Sequence, residues 1–155
     1  MLEEIRKKIR SVLWVMFHHI YENPYAKKIV SPVVNFFKPG SVVVNGNKIY
    51  IDKDDRVISL ELLLSGKWEE FERTLFEQNI KSGDIVVDIG AHIGTYTLTA
   101  AKMVGPKGKV YAFEPLPENA AHVLEHIQWN HLSNITLVNG AMCDRQGLAP
   151  FHMGP

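Results

Sequence analysis

Residues 86–97 of this 155-residue chain read VVDIGAHIGTYT, a pattern in which an apolar run ends in an acid and two glycines follow. The acid is Asp88, and the glycines are Gly90 and Gly94. Glycine permits a tight turn that side chains would block, and it lets the backbone approach a ligand closely. The free amides at the start of a following helix, here from Thr95, attract an anionic group. This spacing therefore predicts a strand, a ligand-binding loop and a helix.

A second acid lies where the next strand is predicted to end. The segment KVYAFEP places Glu114 20 residues after Gly94. Ligands of open α/β sheets bind beyond the carboxyl ends of the strands, and a carboxylate there accepts hydrogen bonds from both hydroxyls of a ribose. The loop and this acid together predict a ligand that contains a nucleoside. The alternative is an α/β domain whose glycines serve only packing.

The glycine spacing separates two classes of nucleoside ligand. A dinucleotide fingerprint requires G-x-G-x-x-G, whereas the corresponding positions hold Gly90, His92 and Thr95. S-adenosylmethionine has no pyrophosphate and needs only a loop for its amino-acid end. Asp88 is then a partner for the ligand's ammonium group, and Thr95 and Thr97 either bind its carboxylate or cap the helix. The spacing favours S-adenosylmethionine over a nicotinamide dinucleotide.

The elements that must position these residues are visible from residue 84 onwards. The chain alternates strand, helix, strand, helix and strand with short links, which predicts an α/β fold with a Rossmann-like, doubly wound parallel sheet. The first strand, within 84–90, is so rich in β-branched residues that we expect it to be buried on both faces. Pro117 is well suited to the first position of the second helix.

Upstream of the sheet we expect a hairpin and helices. Asn45-Gly46 between two β-branched runs is the strongest short hairpin signal, with strands at 41–44 and 48–51. A short helix is predicted over 54–64 and an amphipathic helix from Trp68 to Ile80. The predicted division is 1–39 for an amphipathic helix and linker, 40–83 for the hairpin and helices, and 84–155 for a partial cofactor-binding domain.

Residues 1–22 carry apolar side chains at helical spacing beside a cluster of basic ones. Two interpretations fit this pattern. The helix either lies on an anionic membrane surface as a peripheral contact, or packs on the domain or on another subunit. The longest purely apolar run, 12–17, is too short to span a bilayer.

Charge and cysteine content restrict the function classes. The 17 basic and 17 acidic side chains cancel, so no global basic field indicates nucleic acid, and we expect no nucleic-acid partner. Cys143 is the single cysteine, which excludes an intrachain disulfide and favours a cytoplasmic location, with the membrane contact at its inner face.

Taken together, VVDIGAHIGTYT, VYAFEP and the later NHLSNITLVNGAMCDRQG resemble the FkbM-type methyltransferases. The resemblance implies a fold of the Rossmann-like, class I methyltransferase type, S-adenosylmethionine as cofactor, and methyl transfer to oxygen of a small-molecule acceptor such as a sugar, lipid or secondary metabolite. It matches Asn130 to a recurrent family position, and His92 departs from the asparagine that is commoner there. The residues predicted to bind the cofactor are Asp88, Gly90, Ala91, His92, Gly94, Thr95, Thr97, Glu114, Pro115, Ala141 and Asp144.

Members of that family continue well beyond the length of this chain, and three parallel strands make about half of the expected sheet. We therefore expect a fragment holding the cofactor half, or a half that an oligomer or partner completes. No general base for the acceptor can be assigned. A non-catalytic adenosylmethionine- or nucleotide-binding remnant is the alternative function.

One rival motif is present, because His122 to His126 read HVLEH, the H-x-x-E-H pattern of inverted zinc peptidases. The helix that carries it connects two strands and lies away from their carboxyl ends. No downstream segment offers a clear third ligand. We therefore predict no metal site and expect both histidines at the surface.

Overall fold

The computed structural model describes Tyr25, residues 40–50, residues 69–148 and Pro150. The elements within these ranges, numbered here in chain order, are β1 (Ser41–Val44), β2 (Asn47–Tyr50), α1 (Glu70–Asn79), β3 (Ile85–Ile89), α2 (Thr95–Val104), a 3₁₀ turn (Gly105–Lys107), β4 (Lys109–Phe113), α3 (Pro117–Trp129) and β5 (Ile135–Val138). The helices predicted over 1–22 and 54–64 lie outside the described residues.

The predicted hairpin is present, with β1 and β2 antiparallel and Val44 opposite Asn47. Asn45 and Gly46 both have positive φ, 52° and 73°. A two-residue hairpin turn requires this left-handed backbone at both positions, which asparagine and glycine tolerate best. Because the turn uses only these two residues, β2 begins at Asn47, one residue earlier than predicted.

Three parallel strands form the main sheet, in the order β3-β4-β5. The register places Asp88 opposite Ala112 and Ile89 opposite Phe113. Each strand is joined to the next by one helix, α2 and then α3. The α/β, Rossmann-like fold predicted from the sequence is thereby confirmed, and the ends of β3 and β4 lie side by side.

The helices and the hairpin lie over one face of this sheet. Val110 is fully buried against Ala100, Ala101 and Val104 of α2, with Phe76 of α1 at the margin. A second cluster joins the hairpin to the helices through Val44, Ile49, Ile93 and Leu98. The core is therefore layered as sheet, helices and hairpin.

The opposite face of β3 is exposed, which contradicts the expected burial on both faces. Ile85, Val87 and Ile89 are 71%, 53% and 62% exposed. They alternate with Val86 and Asp88, whose side chains point to the covered face. The β-branched run correctly predicted a strand but not the burial of its two faces. Both crossover helices in the described part of the chain pack on the same side of the sheet.

No helix in the described ranges is both long and apolar enough to cross a bilayer.

Gly108 provides a test of the packing where α2, β3 and β4 meet. A Cβ at this position would overlap Val104 and would lie 2.6 Å from the carbonyl oxygen of Asp84. We expect Gly108→Ala to lower the free energy of unfolding by about 1–3 kcal/mol or more, since the backbone cannot yield without moving β3. Urea denaturation measures the change.

The matched control for that substitution is Gly140→Ala, because a Cβ at Gly140 would meet only Val138 at an ordinary 3.9 Å. Its stability should stay close to that of the wild type. Equal stabilities of the two variants would contradict the close approach at Gly108.

Candidate functional site

The loop between β3 and α2 is held by the end of β4. The amides of Gly90 and Ala91 both donate to the carbonyl oxygen of Phe113, each at 2.9 Å. Gly90, His92 and Gly94 have positive φ, at 84°, 51° and 87°. The loop therefore turns sharply three times within five residues and keeps its backbone close to the neighbouring strand end.

The two predicted glycines are required for different reasons. A Cβ at Gly94 would lie 3.3 Å from a methyl group of Val123 on α3, so this glycine lets the helix approach as well as permitting the φ value. A Cβ at Gly90 would meet no heavy atom within 4 Å. Only the backbone conformation demands glycine there.

Glu114 follows β4 directly and is 5% exposed. Its Oε2 accepts the amide of His92 at 2.7 Å, while Oε1 accepts the amide of Leu116 at 2.9 Å and a longer contact from Asn119 at 3.4 Å. The carboxylate thus fixes the glycine loop from across the sheet. A carboxylate has about four acceptor positions, so capacity remains for a hydroxyl of a ligand.

Asp88 lies on the same sheet edge. Burial raises the pKa of its carboxyl group, the hydrogen bond from Thr97 opposes this shift, and the neighbouring Glu114 carboxylate adds to it. Neither acid takes part in an ion pair with another described residue. Two carboxylates close together in a partly desolvated site favour a cationic ligand group.

The two predicted threonines have different positions. Thr97 is fully buried and its hydroxyl donates to Asp88 Oδ2 at 2.5 Å, so it orients the acid and is not available to a ligand. Thr95 is half-buried at the first position of α2. Gly94 is the N-cap, without a side-chain hydrogen bond, so neither threonine adopts the capping role that the sequence left open.

The remaining predicted residues are spread from the loop to the segment after β5. Ala91 is buried in the loop, and the carbonyl of Pro115 accepts a bond from Asn139 at 3.2 Å. Ala141 is exposed and follows Gly140, whose amide donates to the Glu114 carbonyl. Asp144 is exposed, and among the described residues no contact joins it to the loop.

Two asparagines at this edge were missed by the sequence reasoning. Asn139, at the end of β5, donates to the carbonyl oxygen of Glu114 at 2.8 Å. Asn119, on α3, makes the long contact to the Glu114 carboxylate. The signal for Asn139 was available, because a polar residue at the carboxyl end of a third parallel strand reaches the same edge as Asp88 and Glu114.

The expectation that the HVLEH histidines lie at the surface is wrong for His126, which is fully buried. The ring of His122 is partly exposed and stacks on Tyr50, with centroids 4.6 Å apart. The hairpin covers this face of α3, which a pattern on one helix could not reveal. Within the described ranges no cluster of three or more potential metal ligands is present.

The raised pKa of Asp88 yields a prediction about stability. A raised folded-state pKa means that the folded protein takes up the proton more readily than the unfolded chain, so ionised Asp88 costs stability at neutral pH. Asp88→Asn should therefore be at least as stable as the wild type at pH 7, and the advantage should shrink as the pH falls towards the ordinary value of about 3.9. Urea denaturation at pH 7 and pH 4 measures this.

Asp84→Asn is the control, because Asp84 also flanks β3 but accepts a backbone amide, that of Lys81, at 2.7 Å. It should be equal to or less stable than the wild type at both pH values. An Asp88→Asn protein less stable than the wild type by more than about 1 kcal/mol would refute the electrostatic account.

Comparison with known proteins relates this geometry to methyltransferases. A model of the TRM5/TYW2 methyltransferase domain matches residues 41–149, well over half of the chain. A protein-L-isoaspartate O-methyltransferase of Ignicoccus hospitalis is 33% identical over 61 residues, 39% of this chain and 29% of its own length. A tRNA (guanine(37)-N(1))-methyltransferase of Heterostelium pallidum is 37% identical over 70 residues, 45% of this chain and 16% of its own length.

Structural comparison agrees on the fold. A solved structure of a transferase candidate from Pyrococcus horikoshii superposes with a TM-score of 0.52 at 26% identity, covering 65% of this chain and 36% of the other. The matched region therefore spans less than a third of the length of either curated relative, and about a third of the length of the Pyrococcus horikoshii protein.

These matches correct one expectation from the sequence. The exclusion of nucleic acid as a partner is wrong, because one of these two relatives is a tRNA methyltransferase. The family model that matches the chain also describes a methyltransferase domain. The physical reason is that net charge averages over the whole chain. A sum of zero gives no information about the surface around one site.

The resemblance to FkbM-type enzymes correctly indicated S-adenosylmethionine-dependent methyltransferases, while the specific FkbM assignment stays a prediction. The match over residues 41–149 includes the hairpin, α1, the glycine loop and the strand end that carries Glu114. The chain belongs to the TRM5/TYW2 methyltransferase domain family.

Proposed function

We propose that this chain is the cofactor-binding part of an S-adenosylmethionine-dependent methyltransferase whose acceptor is RNA. The observation that carries the proposal is the pair of acids at adjacent strand ends, Asp88 and Glu114, with the glycine loop hydrogen-bonded to Glu114 and to the Phe113 carbonyl. This arrangement lies inside the segment matched by the methyltransferase domain model.

The donor set of the site fits the cofactor. S-Adenosylmethionine has an ammonium group, a carboxylate and a ribose, and it supplies an activated methyl group on its sulfonium. Asp88 forms no ion pair with any residue that the structure describes, and it suits the ammonium group. Glu114 retains acceptor capacity for a ribose hydroxyl, and the first amides of α2 suit the carboxylate.

The chain's own contribution to methyl transfer is positioning. A sulfonium already carries the leaving group, so holding it in line with the acceptor is the main task of the protein. The loop is suited to this because its amides donate to Phe113 of β4 and to Glu114, and its Ile93 carbonyl accepts from His126 of α3. The group that activates the acceptor is not among the residues assigned here.

An RNA acceptor is supported by the tRNA (guanine(37)-N(1))-methyltransferase relative. Transfer to oxygen is the second candidate, supported by the protein-L-isoaspartate O-methyltransferase relative and expected from the FkbM resemblance. The first is preferred because the domain model agrees with it over the longer part of the chain. Both acceptors are consistent with a cytoplasmic location, which remains a proposal.

Ligand titration tests the cofactor. We expect S-adenosylmethionine and S-adenosylhomocysteine to bind the full chain, with NAD binding at least tenfold more weakly. Glu114→Gln should weaken binding of S-adenosylhomocysteine by about tenfold to a hundredfold, the scale for hydrogen bonds to a charged group. Isothermal titration calorimetry gives each dissociation constant.

Glu118→Gln serves as its control, because Glu118 is an exposed carboxylate in the first turn of α3. Its affinity should equal that of the wild type. Tight binding of NAD alone would reject the proposed cofactor, and unchanged affinity in Glu114→Gln would place the ribose elsewhere.

Methyl transfer from labelled cofactor tests the acceptor class. A tRNA transcript with guanosine at position 37 should accept at least tenfold more label than the same transcript with adenosine there. An isoaspartyl peptide, assayed beside them, represents the oxygen acceptor. Labelling of the peptide in preference to both transcripts would replace the RNA proposal by the second candidate.

A further inference from the structure

His126 is a buried polar residue that lies outside the residues proposed to bind the cofactor. It lies in the last turn of α3 and is fully buried. Fully buried histidines are uncommon because the ring carries two polar nitrogen atoms that both need partners. Here both nitrogens have partners, and these come from two different parts of the chain.

The hydrogen bonds of the ring fix its protonation state. Nε2 accepts the backbone amide of Tyr50 at 2.7 Å, so it carries no proton. Nδ1 then holds the proton and donates to the carbonyl oxygen of Ile93 at 2.8 Å. A neutral imidazole with its proton on Nδ1 satisfies both contacts.

The two partners belong to the hairpin and to the glycine loop. Tyr50 ends β2, and Ile93 lies between His92 and Gly94. The hairpin has a second attachment to the same helix, since Asn130 exchanges hydrogen bonds of 2.8 Å with both the amide and the carbonyl of Lys48. His126 differs from Asn130 in that it also reaches the loop.

We propose that His126 is a positioning residue that, as a neutral ring, couples docking of the hairpin to the shape of the glycine loop and makes ligand binding by that loop dependent on pH. The ligand part of this proposal rests on the proposed cofactor site. The coupling part concerns only the chain itself and can be measured without ligand.

Protonation of the ring opposes this arrangement for a geometric reason. A proton on Nε2 points at the amide hydrogen of Tyr50, so an acceptor is replaced by a second donor. Burial lowers the pKa of His126, which agrees with a site built for the neutral form. The contribution to stability is therefore complete above the unfolded value of about 6.5 and is lost progressively as the pH falls below it.

The titratable groups around the ring do not reverse this conclusion. On α3, His122 further lowers the pKa of His126, and Glu125 raises it by less than burial lowers it. From β2, Tyr50 stacks on His122, and the Lys48 ammonium lies 4.6 Å from the centroid of the Trp129 ring. The glycine loop presents a backbone carbonyl to the ring, and its own histidine, His92, is exposed.

Three variants separate coupling from simple support. His126→Asn keeps a neutral donor near the position of Nδ1 and does not titrate. Its shorter side chain leaves no acceptor at the position of Nε2, where the Tyr50 amide donates. His126→Phe fills the space and removes both bonds. His131→Asn is the matched control, since it removes an exposed histidine that follows α3, at a backbone φ of 53° that asparagine tolerates.

We expect the affinity of the wild type for S-adenosylhomocysteine to fall by about threefold or more between pH 7 and pH 5. His131→Asn should follow the same curve. His126→Asn should bind within about threefold of the wild type at pH 7 but with a flatter pH dependence. His126→Phe should bind about tenfold more weakly at pH 7. Calorimetry at four pH values measures all four proteins.

Hydrogen exchange followed by NMR provides the ligand-free measurement. The protection factor of the Tyr50 amide should fall between pH 7 and pH 5 in the wild type and in His131→Asn, and it should be low at both values in His126→Asn. If no adenosyl ligand binds at all, the proposed cofactor fails while this measurement still decides the coupling.

Two results would overturn the proposal. One is a His126→Asn protein whose affinity and Tyr50 protection follow the wild-type pH curves. The other is a His126→Phe protein that binds like the wild type. Should His126→Phe fail to fold, the comparison of His126→Asn with His131→Asn alone decides.

Discussion

The hydrogen bond from the His92 amide to the Glu114 carboxylate is the contact on which the site depends. It joins a residue of the glycine loop to the residue that follows the adjacent strand, and so fixes the loop to the sheet edge. A left-handed backbone at His92 is costly for a residue with a side chain. A charge-assisted hydrogen bond to a buried carboxylate helps to offset that cost and fixes the direction in which the loop turns.

Around this contact, hydrogen bonds from neighbouring residues hold both acids, Asp88 and Glu114, in place. Thr97 orients Asp88, and three donors orient Glu114. Each acid is thereby fixed before any ligand arrives, so less conformational entropy is lost on binding. The same partners restrict what the acids can accept, since the Thr97 hydroxyl occupies one oxygen of Asp88 and donors bind both oxygens of Glu114. Pre-organisation and selectivity therefore arise from the same few hydrogen bonds.

Much of this structure could be predicted because its signals are local. Asn45 and Gly46 both tolerate the left-handed backbone of a two-residue turn, so these two residues predict the hairpin. Gly90 and Gly94 predict the turns of the loop in the same way. The parts that failed depend on distant contacts. His126 is buried by a hairpin some 76 residues earlier in the chain, and a helical pattern alone cannot show what covers the helix. The exposed face of β3 was mispredicted for the same reason. Net charge misled about partners because a sum over the chain discards position.

The contacts of the glycine loop also constrain when this loop can fold during synthesis of the chain. Its backbone is held by Phe113, Glu114 and His126, all of which are synthesised after it. A nascent chain that has exposed the loop but not yet β4 and α3 has none of these three partners. The loop therefore acquires its final form only after the third helix has left the ribosome. Until then the segment has the residues of the loop but lacks the hydrogen bond from His126 to Ile93.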